Sequence, residues 1–186
     1  MSLWSSSPLW VLAVSALLAF AVLSLVDGVY LHLIRYRLYA HASSWREHLW
    51  HTGRALLLVP ILVLIFAQQT GGALLYVGIG FVLLDQLVEL FDVLSEKESR
   101  APLGGLSSFE YALHVMLTTL RIAAITLALA ARPAAAWSLE GATVPLPEPL
   151  STLVWNLVPG AVIATAVHVW LAWKHAPRAR AAVRMS

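Results

Sequence analysis

Eighteen consecutive residues, Leu9 to Val26, carry no charge, and no other feature of the chain narrows its fold as much. A bilayer's hydrocarbon core is crossed by about 20 helical residues, and four further apolar runs follow the first. The composition agrees: 60% hydrophobic and only 12% charged, where soluble domains carry about 25% charged residues. So little polar surface excludes a soluble core-and-shell protein, a disordered chain and a nucleic-acid binder. Cysteine is absent, which removes disulfides, thiolate metal sites, iron–sulfur clusters and cysteine nucleophiles.

The pattern predicts an all-α integral membrane protein forming a single membrane domain over 1–186. Its five transmembrane helices are expected at about 9–38, 45–67, 73–94, 109–131 and 150–173. A secretory leader opens with Lys or Arg. Here the first cation is Arg35, so the first run reads as a retained span that continues through Asp27. The second apolar run, Ala55 to Ala67, needs the polar turns from Trp45 to Arg54 to cross, and Pro60 should kink it by freeing the Leu56 carbonyl. Pro159-Gly160 interrupts the fifth span. Gln68 to Gly72 is expected as a tight turn and Ser95 to Leu106 as a polar loop. The longer loop from Arg132 to Pro149 places Trp137 near the membrane boundary. Arg37 and Arg46, then Lys97 and Arg100, then a basic tail at 174–186 fall on one side of five spans. By the positive-inside rule the N-terminus lies outside and the C-terminus in the cytoplasm, as expected in a bacterial inner membrane.

Charges within spans are costly and by default mark function, and here they gather toward one face. Asp27, His32 and Arg35 close the first helix, and Glu47, His48, His51 and Arg54 open the second. Asp85, Glu89 and Asp92 close the third, and Glu110, His114 and Arg121 open or line the fourth. Ser44-x-x-Glu47 and Ser107-x-x-Glu110 each have a His four residues after the Glu and an Arg beyond. A pair at i, i+4 shares a helix face, as does the series Asp85, Glu89, Asp92. The hairpins 27–67 and 85–131 therefore read as a duplication, with Asp85 as the counterpart of Asp27. Spans one to four are expected to form a pseudo-two-fold four-helix bundle with a polar site in its cytoplasmic half.

This pattern resembles that of the di-metal carboxylate/histidine four-helix-bundle proteins, in which two helices each supply a Glu and two others a Glu and a His one turn apart. The resemblance is one of ligand pattern, and the spacing here is Glu-x-x-x-His rather than Glu-x-x-His. It implies two transition-metal ions, with Asp27, Glu47, His51, Asp85, Glu89, Glu110 and His114 as ligands. His32, His48 and Asp92 are further ligands or their supports, and Arg54 and Arg121 pair with carboxylates or bind an anionic substrate. Charge points the same way: six inward acids against Arg35, Arg54 and Arg121 leave an excess that protons or cations must offset. Mixed oxygen and nitrogen donors suit iron, manganese or zinc.

The functional expectation is a membrane-embedded di-iron oxidoreductase of hydroxylase, desaturase or oxidase type. It would act on a lipid-like or other apolar substrate near the inner leaflet, served by an electron donor. Membrane desaturases and hydroxylases supply the analogy, though their histidine-rich boxes are missing; the one His-x-x-His is His48/His51. The alternatives are a respiratory subunit with haem b between His51 and His114, a cation or proton transporter, and an accessory subunit of a larger membrane complex; a homo-oligomer is the other assembly expected. More ordinary roles are expected elsewhere. Both Ser-x-x-Glu pairs are also capping boxes, Glu96 and Glu98 read as solvated loop charges, and Arg35 can snorkel to the boundary. His168, near Trp170 and Trp173, reads as interfacial, and His41 and His175 have no assigned role. Asp27 and His32 stand about 140° apart on an α-helix, so one of them, Asp27, is expected to face the site unless the helix is deformed.

Overall fold

Apolar runs punctuated by Pro and Gly become helices joined by short turns. The computed structural model describes residues 7–183, from 177 onward by backbone alone; Arg178, Arg180 and Arg184 of the expected basic tail lie outside the described side chains. Helix α1 (Pro8–Ser24) starts on a proline, whose missing N–H is not needed in a first turn. It runs without a break into a π-helical segment, Leu25–Arg35. Helix α2 (Trp45–Ile61) contains Pro60 and likewise passes into π-helical turns at Leu62–Phe66. Helices α3 (Gly72–Arg100) and α4 (Ser108–Ala130) follow, then α5 (Leu150–Trp155) and α6 (Leu157–Val183).

Among the described residues, five stretches are long and apolar enough to cross a membrane: Pro8–Ala40, Trp45–Phe66, Gly72–Leu103, Ser108–Ala130 and Leu150–Ala176. Their outward faces are oily, with Val22, Leu25, Ile34, Leu83, Leu94 and Ile163 all exposed. A water-soluble monomer avoids apolar surface on this scale.

Two boundaries differ from the sequence expectation. The 95–106 segment is mostly not a loop, because α3 continues to Arg100 and a 3-10 turn carries it to Leu103. Ser99 and Arg100 are buried there, and Lys97 and Arg100 in the last turn complement the helix dipole. In the fifth span the break falls at Asn156, three residues before Pro159. That proline has no N–H to return to the carbonyl of Trp155, so the continuous ladder ends there.

Helix α1 packs along α4, while α2 packs along both α3 and α6. Away from the charges, Trp10, Ala13, Val14 and Leu17 join Ala124, Ile125 and Ala128 in the apolar core. The fully buried Ala13, Ala124 and Ala128 are small enough to let backbones approach. The same end is tied by a short antiparallel ladder, β1 (Gln68–Gln69) on β2 (Val144–Pro145), with Gln68 opposite Pro145. Beside it Gly72 has φ +64°, and a side chain there would strike the Gly141 and Leu139 carbonyls. Arg132 is buried under this turn. Its guanidinium donates to the carbonyls of Thr70 (3.0 Å), Ala128 (2.7 Å) and Ile65 (2.9 Å) and lies 5.4 Å from the Trp10 ring centroid. Burial pushes its pKa down to about 10, so it stays charged at neutral pH while serving carbonyls at helix ends.

Candidate metal centre

The opposite end of the helices holds most of the buried ionisable residues, and helical period decides which of them face one another. On α2, Glu47, His51 and Arg54 stand at i, i+4 and i+7. On α3, Asp85, Glu89, Asp92, Glu96 and Arg100 extend one stripe over four turns. On α4, Glu110, His114 and Arg121 form the third stripe. Asp27 and His32 come from the π-helical segment, whose i→i+5 bonding is visible where Tyr36 N–H reaches the Leu31 carbonyl at 2.8 Å. At about 4.4 residues per π turn, residues five apart share a face. The expectation that only Asp27 turns inward is thus corrected: both are buried, with His32 Nε2 3.5 Å from Asp27 Oδ1.

Three arginines take up much of the negative charge. Arg121 pairs with Asp85 and Glu89. Arg54 lies across the same acids, 3.7 Å from Asp85 and 3.5 Å from Glu89, and 3.6 Å from Asp92. Arg100, 1% exposed, pairs with Glu110 and stands 3.4 Å from Glu47. Hydroxyls finish these carboxylates: Tyr36 donates to Glu110 (3.0 Å), Thr118 to Glu89 (2.7 Å) and Ser99 to Glu47. Asp85, Glu89 and Glu110, expected as metal ligands, are therefore held by guanidiniums. Arg54 and Arg121 are found in the carboxylate-pairing role foreseen for them. Arg35 is exposed, 5.3 Å from the Tyr36 ring centroid, and Arg100 takes the inward place assigned to it. The capping box at Ser107 and Glu110 is formed in both directions. At Ser44 it is not, because that hydroxyl donates to the Leu38 carbonyl and leaves Glu47 to the interior.

The imidazoles form the remainder of the cluster. His114 Nε2 lies 3.0 Å from Asp27 Oδ1, and its Nδ1 lies 3.0 Å from Glu96 Oε1. His51 Nε2 lies 3.4 Å from Asp92 Oδ2, so Asp92 stands beside His51 as Asp27 stands beside His114. Between them sits His32, its ring centroid 4.2 Å from His51 and 5.9 Å from His114. Among the described residues, two groups of donor atoms each lie within 4.8 Å of one another: Asp27, His32 and His114, and His32, Glu47 and His51. His32 belongs to both. It is 0% exposed, and among the described residues neither of its ring nitrogens has a hydrogen-bond partner, a costly state for a buried polar group.

Electrostatics sharpen the point. Seven carboxylates (Asp27, Glu47, Asp85, Glu89, Asp92, Glu96 and Glu110) face Arg54, Arg100 and Arg121. Ion pairing alone leaves four negative charges, to be offset by protons or cations. Carboxylate oxygens and imidazole nitrogens together make a donor set suited to iron, manganese or zinc.

His48 lies outside both groups. It is stacked on His168 with centroids 5.2 Å apart, and its Nε2 is 3.3 Å from the His168 carbonyl. His168 is consequently buried between helices rather than interfacial. Sequence reasoning missed Glu96 and Arg100, although the Asp85-Glu89-Asp92 stripe reaches both when continued by one and two turns. Comparison of the chain with family models, curated proteins and solved structures finds no match.

Proposed function

We propose that this chain is a membrane-embedded oxidoreductase that works through two iron ions, set in the cytoplasmic half of a pseudo-two-fold bundle of spans one to four. Asp27, His32 and His114 would hold one ion, and His32, Glu47 and His51 the other, with His32 common to both once its ring N–H is released as a proton, one nitrogen toward each ion. The carrying observation is His32: a fully buried imidazole with both nitrogens unbonded, surrounded by carboxylate and imidazole donors. Two divalent ions would offset the four uncompensated charges. The contacts also match in pairs, as a duplicated hairpin requires: Asp27 with His114 and Asp92 with His51, Tyr36 with Glu110 and Ser99 with Glu47.

The redox chemistry belongs to the metal; the helices supply ligands, orientation and a dry surrounding. An apolar substrate such as a lipid, quinone or isoprenoid fits a centre reached through oily helix faces, with the cations of the first and third connections and the C-terminal tail setting the site toward the inner leaflet. Haem between His51 and His114 is less well supported, since it would have to displace His32, whose ring lies against both.

Metal analysis of protein purified without chelator tests the reading. Wild type should carry about two transition-metal ions per chain. His32→Ala should lose both, and His114→Ala should lose chiefly one. Wild-type protein that is metal-free, and that takes up no added iron, manganese or zinc, would overturn it.

A further inference from the structure

Glu96 has no place among the donors just described, yet its carboxylate is aimed at one of them. It sits on α3 one turn beyond Asp92 and one turn before Arg100, whose pairing with Glu47 and Glu110 fixes the end of that helix against α2 and α4. From there Glu96 Oε1 reaches His114 Nδ1 at 3.0 Å, while the other nitrogen of the same ring faces Asp27 at 3.0 Å. One imidazole is thus gripped at opposite ends by two carboxylates from different helices. A neutral imidazole carries a single proton, and the bond made by one nitrogen decides which nitrogen is left with a lone pair.

We propose that Glu96 is a positioning residue of the centre: it accepts the Nδ1–H of His114 and so presents the Nε2 lone pair, beside Asp27, to the metal. The inference rests on the reading of the cluster as a metal site. Carboxylates behind metal-bound histidines fix tautomer and ring rotation and raise donor strength, and their loss commonly lowers metal affinity 10- to 100-fold. The geometry also gives a purpose to the last turns of α3, which carry a charged residue beyond the apolar run that a span needs.

The test uses the full chain in detergent, stripped of metal and titrated with cobalt(II) alone, whose visible absorption reports its ligands. Glu96→Ala should weaken cobalt binding by about 10- to 100-fold and shift the spectrum. Glu96→Gln keeps an acceptor oxygen and should restore much of both. Glu98→Gln, on an exposed neighbour, should match wild type. In the metal-free protein both ring nitrogens face carboxylates and each carries a proton, and ¹⁵N spectra of the histidine rings should show the Nδ1–H of His114 hydrogen-bonded in wild type and that bond lost in Glu96→Ala. This measurement is independent of loading and can also be made on Glu96→Gln if the alanine variant folds poorly. Wild-type affinity, cobalt spectrum and Nδ1 signal in Glu96→Ala would overturn the role of Glu96 and leave the metal site standing. A wild-type chain that binds no cobalt and no other transition metal would overturn the site itself.

Discussion

Arg100 stands between Glu47 and Glu110 with the Tyr36 ring centroid 4.4 Å from its guanidinium carbon. A guanidinium so placed is worth less for the attraction it contributes than for the repulsion it prevents, since two carboxylates are left facing each other without it. Breaking a buried ion pair from one side typically costs about 3–5 kcal/mol, while removing both charges together is far milder. Arg100→Met should accordingly lower the thermal midpoint of the detergent-solubilised protein sharply. The double variant Arg100→Met/Glu110→Gln should recover part of the loss, and the non-additivity is measured as a double-mutant cycle. At this scale the sequence was informative about types and weaker on partners. Glu47, His51 and His114 could be singled out because a Glu-x-x-x-His pair defines a face by itself. The partner of each carboxylate depends on how neighbouring helices are set against one another, which no local spacing contains.

Among elements, the π-helical segment shows most clearly where sequence reading reaches its limit. Nine residues separate Asp27 from Tyr36, whereas seven separate Asp92 from Ser99. Two π turns take up about nine residues and two α turns about seven, so both pairs keep the same relation to the helices they face. Assuming α geometry throughout turns His32 away from the face that Asp27 occupies. The five spans themselves were legible, because length and apolarity are properties of the segment alone. Helix contact is testable at two glycines of α3. A side chain at Gly78 would approach Ile65 Cδ1 to 2.9 Å and Leu64 Cβ to 3.1 Å, whereas Gly80 has open space. Gly80→Ala should therefore stabilise by about 0.5–1 kcal/mol through helix propensity. Gly78→Val should destabilise by about 1–3 kcal/mol through overpacking. Thermal melts of the two variants side by side check the contrast.

Across the whole molecule, α1 lies along α4 and α2 along α3, with the arginines and imidazoles where these pairs meet. The absence of cysteine makes topology simple to probe with single introduced thiols. Val144→Cys, exposed in β2, should react with an impermeant maleimide applied outside intact cells. Ala101→Cys, exposed after α3, should react only once the membrane is opened. The reverse labelling pattern would place the ionisable end outside. At the far end, the β1–β2 ladder, the close glycine turn and the Arg132 clamp on Thr70, Ala128 and Ile65 knot two connections and three helix termini together. The consequence is a cul-de-sac. A carrier that opened alternately at both ends of these helices would have to untie that knot on every cycle.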